Sequence, residues 1–123
     1  MKKQLSIENL GVFNLANSIG QNIWDIVINW TYFKRDSIGK QVCRSSDSIS
    51  ANIAEGFGRY SFKENKHFCY YARGSLVETK NWIHKSYDRE LIDNNSFNYI
   101  KGDLDILHKK LNAYINSIGK YSN

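Results

Sequence analysis

Four stretches of this chain place apolar side chains three and four residues apart. That spacing lines one side of a helix, and it constrains the fold more than any other feature. The first stretch carries Val12, Ala16, Ile19, Ile23, Ile26 and Trp30. The second carries Ile38, Val42, Ser45, Ile49 and Ile53, and the third Phe68, Ala72, Ser75, Thr79 and Trp82, widened by Cys69, Leu76 and Ile83. The fourth carries Phe97, Ile100, Leu104, Leu107, Leu111, Tyr114, Ile118 and Tyr121. None of them keeps the strict alternation of a half-buried strand. Proline is absent, so nothing interrupts long helices.

The breaks between the stretches are equally legible. Thr31 to Asp36 interrupts the first pattern. Gly56 and Gly58 can adopt the left-handed conformation that closes a helix. Ser61-Phe-Lys-Glu64 reads as a capping box, and Asp93 or Ser96 can cap the fourth helix. Short connections between amphipathic helices predict an all-α, up-down-up-down antiparallel four-helix bundle. A chain of 123 residues with no linker suits a single domain over 1–123. The second stretch is lined with small residues (Ser45, Ser46, Ser48, Ser50, Ala51, Ala54), which allow a neighbouring helix to approach closely, whether in this bundle or in another subunit.

Charge narrows the partners. The formal net charge is +5, and it is uneven: residues 31–90 hold 11 Lys/Arg against 7 Asp/Glu, whereas residues 6–30 hold no Lys/Arg against 2 Asp/Glu. The middle of the chain is therefore the expected contact region for an anionic partner, nucleic acid first. Lys40 and Arg44 lie four apart on the second helix. Arg59, Lys63 and Lys66 cluster about the following turn, interleaved with Tyr60, Phe62 and His67. Cations beside aromatic rings suit phosphates and unstacked bases. The competing reading is a solvated basic surface over aromatic core residues. Three tryptophans and eight tyrosines exceed what a small core needs, so part of the aromatic set is expected at a self-association interface.

Asn52, Glu55, Arg73 and Glu78 stand among apolar residues around the turn between helices two and three. They predict a buried polar clasp in which Arg73 engages the Glu55 carboxylate, since a buried charge must be paired. An acid–base site is the alternative, but no nucleophile or histidine stands at a useful spacing. Gly74 beside Arg73 is expected to allow close helix contact. Helical-bundle ribonucleases carry an arginine and then a histidine a few residues on along one helix. Here Arg59 precedes His67 by eight residues across a turn, which departs from that arrangement. No His-x3-His or Cys-x2-Cys pair and no phosphate-binding glycine loop occurs, so no metal, cofactor or enzymatic activity is expected. Cys43 and Cys69 read as reduced core thiols of a cytoplasmic protein, and no stretch is apolar enough to span a membrane.

Two runs carry a family resemblance. Ala51-Asn-Ile-Ala-Glu-Gly-Phe-Gly-Arg59 with Ser61, and Ala72-Arg-Gly-Ser-Leu76 with Glu78, resemble the most distinctive motifs of the 23S rRNA-intervening-sequence (S23) proteins. Leu10, Val12, Phe13 and Ala16 resemble the opening motif, with phenylalanine for tryptophan, and Leu111-Asn112 the end of the fourth helix. Ser50 stands where the family has a proline. The resemblance implies a four-helix bundle. It extends to the accessory protein of diversity-generating retroelements, a basic pentameric barrel. By that analogy the chain would be a pentameric, non-enzymatic helper that binds RNA or DNA and a reverse-transcriptase-like protein. The alternative is a protein-binding scaffold with no nucleic-acid role.

Overall fold

A computed structural model describes residues 6–120. After a 3-10 turn at Ile7–Asn9, helix α1 spans Gly11–Val27. Helix α2 covers residues 32–57: it opens at Tyr32–Lys34, passes through a π turn at Arg35–Gly39 and continues as Lys40–Phe57. Helix α3 is Phe62–Asp88 and α4 is Asn94–Ser117. Each helix packs on two others, α1 on α2 and α4, and α3 on α2 and α4. The chain thus goes up, down, up and down around one core, and the predicted bundle is the observed one.

The stripes read from the sequence form that core. Ala16, Ile19, Ile23, Val42, Ile49, Ile53, Ala72, Leu76, Leu104, Leu107 and Leu111 are buried, whereas Ile26, Trp30, Phe68, Trp82 and Tyr114 are half-buried at its edges. Tyr121 of the fourth stripe lies outside the described residues. Cys69 is buried, and desolvation pushes its thiol up to about 11.

Helices α2 and α3 share the most extensive contact of any pair, and small residues of α2 contribute to it. Ser45, Ser46 and Thr79 are buried between helices. The Thr79 hydroxyl lies 2.9 Å from Ser45 Oγ and 2.8 Å from the Ser75 carbonyl, and Ser45 Oγ lies 3.2 Å from the Val42 carbonyl. These two hydroxyls hold two protons for three contacts, so each stays bonded without water. Near the other end, Gly56 faces the first turns of α3. A Cβ there would stand 2.7 Å from Asn65 Oδ1, 2.8 Å from the Asn65 carbonyl and 3.0 Å from Phe68 Cβ.

The helix ends correct one expectation and bear out two. Gly58 closes α2 in the right-handed region, with φ −79°, so neither Gly56 nor Gly58 supplies a left-handed residue. Gly56 matters for approach, not for conformation. The Ser61 hydroxyl caps α3 by accepting from the Glu64 amide at 3.1 Å, and the Glu64 carboxylate meets that same hydroxyl at 3.3 Å. Asp93 Oδ1 caps α4 by accepting from the Ser96 amide at 2.7 Å. Between α3 and α4 the left-handed residue is Glu90, φ 59°. It closes a Schellman motif in which the Leu91 amide donates to the Ser86 carbonyl at 2.8 Å and the Glu90 amide to that of Tyr87 at 3.0 Å.

Gly56→Ala is expected to cost about 1–3 kcal/mol, because one of the atoms its methyl meets is backbone and cannot swing aside. Gly102→Ala, whose Cβ would meet nothing within 4 Å, is expected to stabilise α4 by about 1 kcal/mol. Denaturant titration of both variants checks the pair of signs.

Candidate nucleic-acid interface

The predicted clasp does not form. Glu55 pairs with Arg59, Oε1 to Nη2 at 2.7 Å, and both side chains are about half exposed, at 55% and 41%. Arg73 turns the other way: its Nη1 donates to Asn112 Oδ1 of α4 at 3.0 Å and its guanidinium lies 5.2 Å over the Tyr70 ring. Asn52 donates to the Ser48 carbonyl at 2.9 Å, and Glu78 accepts from the Trp82 indole N–H at 3.0 Å, each within its own helix. Helical azimuth explains the difference. Ala72 and Thr79 turn toward the core and α2, while Arg73, and Lys80 seven residues on, lie on the flank beside α4. Gly74, expected at a close contact, has no atom within 4 Å of its Cβ position.

A polar seam on that flank takes the place of the clasp. Lys80 Nζ reaches Asp105 at 3.2 Å and His108 Nδ1 at 3.0 Å, and Lys101 holds Asp105 at 3.1 Å. Lysine only donates, so Nδ1 of His108 accepts and the ring proton sits on Nε2. Burial, with Lys80 and Arg73 alongside, holds the His108 imidazole below the usual histidine value against the opposing pull of Asp105. Hydrogen bonds from Lys101 and Lys80 hold the Asp105 carboxyl below its own.

The cations singled out in the sequence divide between the two ends of the bundle. At the α2–α3 turn Arg59 is already engaged, by Glu55 and, at 4.0 Å, by Glu64, with its guanidinium 4.8 Å over Phe68. Both pairs are solvent-exposed, so a phosphate at Arg59 would compete with Glu55 and Glu64 for the guanidinium. Lys63 is exposed and Lys66 half-buried; among the described residues neither has an ion-pair partner. Tyr60 beside them is fully exposed.

At the opposite end, Lys40 and Arg44 open onto a groove of about 590 Å³. The π turn and the first residues of α2 form one wall, with Phe33, Lys34, Asp36, Ser37 and Ile38. The last turns of α3 and the Schellman turn form the other, with Trp82, Arg89 and Leu91. Gly39 makes the geometry possible, since a Cβ there would stand 2.8 Å from Val27 Cγ1 and 3.3 Å from the Lys34 carbonyl. The helix therefore resumes at Tyr32, inside the break expected from Thr31 to Asp36, and turns Phe33 outward, 80% exposed. Four cations (Lys34, Lys40, Arg44 and Arg89) face one carboxylate, Asp36, which Lys40 holds at 3.5 Å. Among the described residues Lys34, Arg44 and Arg89 have no ion-pair partner. Lys40 and Arg44, the cations expected on this helix, line the groove, and Lys34, Phe33 and Arg89 join them with no periodicity in the sequence to mark them. Trp82, on the core stripe of α3, packs against the edge of the core as expected and also lines the groove wall.

The 23S rRNA-intervening sequence protein model matches residues 8–113. The chain belongs to that family. A crystal structure of a protein with unknown function from the S23 ribosomal protein family of Bacteroides thetaiotaomicron VPI-5482 superposes with a TM-score of 0.76 at 22% identity. The match covers 86% of this chain and 99% of that one, and it shows a shared fold. No curated protein matches the chain. Among the described residues, no helix of this S23-family bundle is long and apolar enough to cross a membrane.

Two predictions test the seam. Arg73→Ala is expected to cost about 1–2 kcal/mol through the lost Asn112 bond and ring contact, and Glu55→Ala less than about 0.5 kcal/mol, since its ion pair is solvated. Urea unfolding of the two variants measures both. The second concerns pH. Because the folded-state value of His108 is depressed, the unfolded chain binds more protons just below about pH 6.5, so acidification through that window lowers stability. A melting temperature that falls between about pH 7.5 and about pH 5.5 in the wild type, and falls less in His108→Gln, is the expected result.

Proposed function

We propose that this protein is a non-enzymatic, self-associating binder of RNA or other nucleic acid, and that its principal contact is the basic groove between the start of α2 and the end of α3. The observation that carries this reading is the meeting of Lys34, Lys40, Arg44 and Arg89 with Phe33 and Trp82 around one open groove. Cations arranged about a concavity raise the local concentration of a polyanion. The groove's chemistry favours holding over turnover: Ser37 turns its hydroxyl back onto the Phe33 carbonyl at 2.6 Å, and Asp36 is engaged by Lys40. Lys63 and Lys66 form a second, smaller basic patch at the far end, suited to the same polyanion if it runs along α2 and α3.

Self-association is supported by the outer face of α3, where Tyr70, Tyr71 and Val77 are exposed around Gly74. A glycine in an exposed helical face, with nothing of its own chain near it, leaves room for a neighbouring subunit. A pentamer, and a reverse-transcriptase-like protein partner, follow from the resemblance to the retroelement accessory protein.

Binding measured by fluorescence anisotropy is expected to weaken steeply as salt rises. Arg44→Glu with Arg89→Glu is expected to weaken it at least about tenfold, and Lys63→Glu with Lys66→Glu by less. Sedimentation with and without RNA reads the assembly state in the same samples. Salt-insensitive binding, or none at low salt, overturns the reading.

A further inference from the structure

From the shape and lining of the groove we infer that it takes single-stranded nucleic acid, with one unstacked base lying against Phe33 and Trp82 while Lys34, Arg44 and Arg89 hold the flanking phosphates. This rests on the nucleic-acid reading above and narrows it. Three observations point the same way. First, the groove is concave and about 590 Å³, within the ~300–1,000 Å³ typical of sites for small ligands. A base with its sugar fits such a space. A duplex, whose bases face inward, cannot present a ring face to it.

Second, the cations stand around aromatic and aliphatic side chains rather than along a flat surface. Phe33 is 80% exposed, and Trp82 is half-buried with its indole N–H tied to Glu78 Oε2 at 3.0 Å. A tethered indole edge leaves the ring with a set orientation. An exposed phenylalanine across from it costs solvation in the free protein and gains contact when a base covers it. Stacking of this kind is indifferent to base identity because every base has a π face.

Third, the wall that carries Phe33 is built by a π turn at Arg35–Gly39. Such turns are uncommon and concentrate at functional sites. This one keeps α2 on the core through Ile38 and Gly39, both buried, while Tyr32 and Phe33 stay outside. Asp36 is offset by Lys40, so Lys34, Arg44 and Arg89 remain for about three phosphates, which predicts a logarithmic salt slope of about −2 for a single strand.

The test compares a 12-nucleotide oligouridine RNA, an oligoadenine RNA of the same length and a matched 12-base-pair RNA duplex, all by anisotropy. Both single strands are expected to bind at least about tenfold tighter than the duplex. Phe33→Ala is expected to weaken single-strand binding roughly 5- to 100-fold and to leave duplex binding and the melting temperature unchanged. In a Trp24→Phe, Trp30→Phe background the remaining Trp82 fluorescence is expected to be quenched by the single strands. Equal or tighter duplex binding, or full single-strand affinity in Phe33→Ala, overturns this inference while the broader nucleic-acid reading stands. Wild-type protein that binds neither these three RNAs nor their DNA counterparts at low salt overturns both. Salt-sensitive capture of an acidic peptide by the groove, with RNA and DNA inert, reassigns it to a protein partner and overturns both as well.

Discussion

Close packing of α2 on α3 governs this bundle, and two buried hydroxyls with one glycine make it possible. Thr79 meets Ser45 at 2.9 Å in the interior, and Gly56 passes within contact distance of the Asn65 backbone. Larger side chains at these places would push the helices apart. An unsatisfied hydroxyl would cost about 1–3 kcal/mol, so the polar pair is tolerated only because every proton finds an acceptor. With the pair in place, the rest of the interior is ordinary aliphatic packing of the four stripes.

The same antiparallel contact creates the groove. Because α2 and α3 run in opposite directions side by side, the beginning of one and the end of the other stand together. Lys34 and Phe33 then face Trp82 and Arg89, and the π turn sets the height of the wall between them. The Schellman turn around Glu90 stops α3 and places Arg89 and Leu91 at the rim. Site and scaffold are therefore not separable: what aligns the helices also assembles the cationic cluster.

The polar residues of the two motif runs serve the surface and the α3–α4 flank. Glu55 and Arg59 brace the end of α2 in solvent, and Arg73 joins α3 to α4 through Asn112. The expectation of a buried Glu55–Arg73 pair came from nearness across the turn. Azimuth decides instead: a single residue's step around a helix is about 100°, enough to carry Arg73 from the α2 side, where Ala72 and Thr79 pack, to the α4 side.

What the amino-acid order determined alone was local. The three- and four-residue spacing of apolar side chains named four helices, and Ser61, Glu64 and Asp93 marked where two of them begin. Each of these is settled within a turn or two of chain, so the residues themselves carry the signal. The direction in which Arg73 points, the role of Gly56 and the assembly of the groove were decided only by tertiary structure. Phe33 and Arg89 are far apart along the chain, and no periodicity relates them. Only the register of one helix against another, set by where small side chains permit close approach, brings them to the same groove.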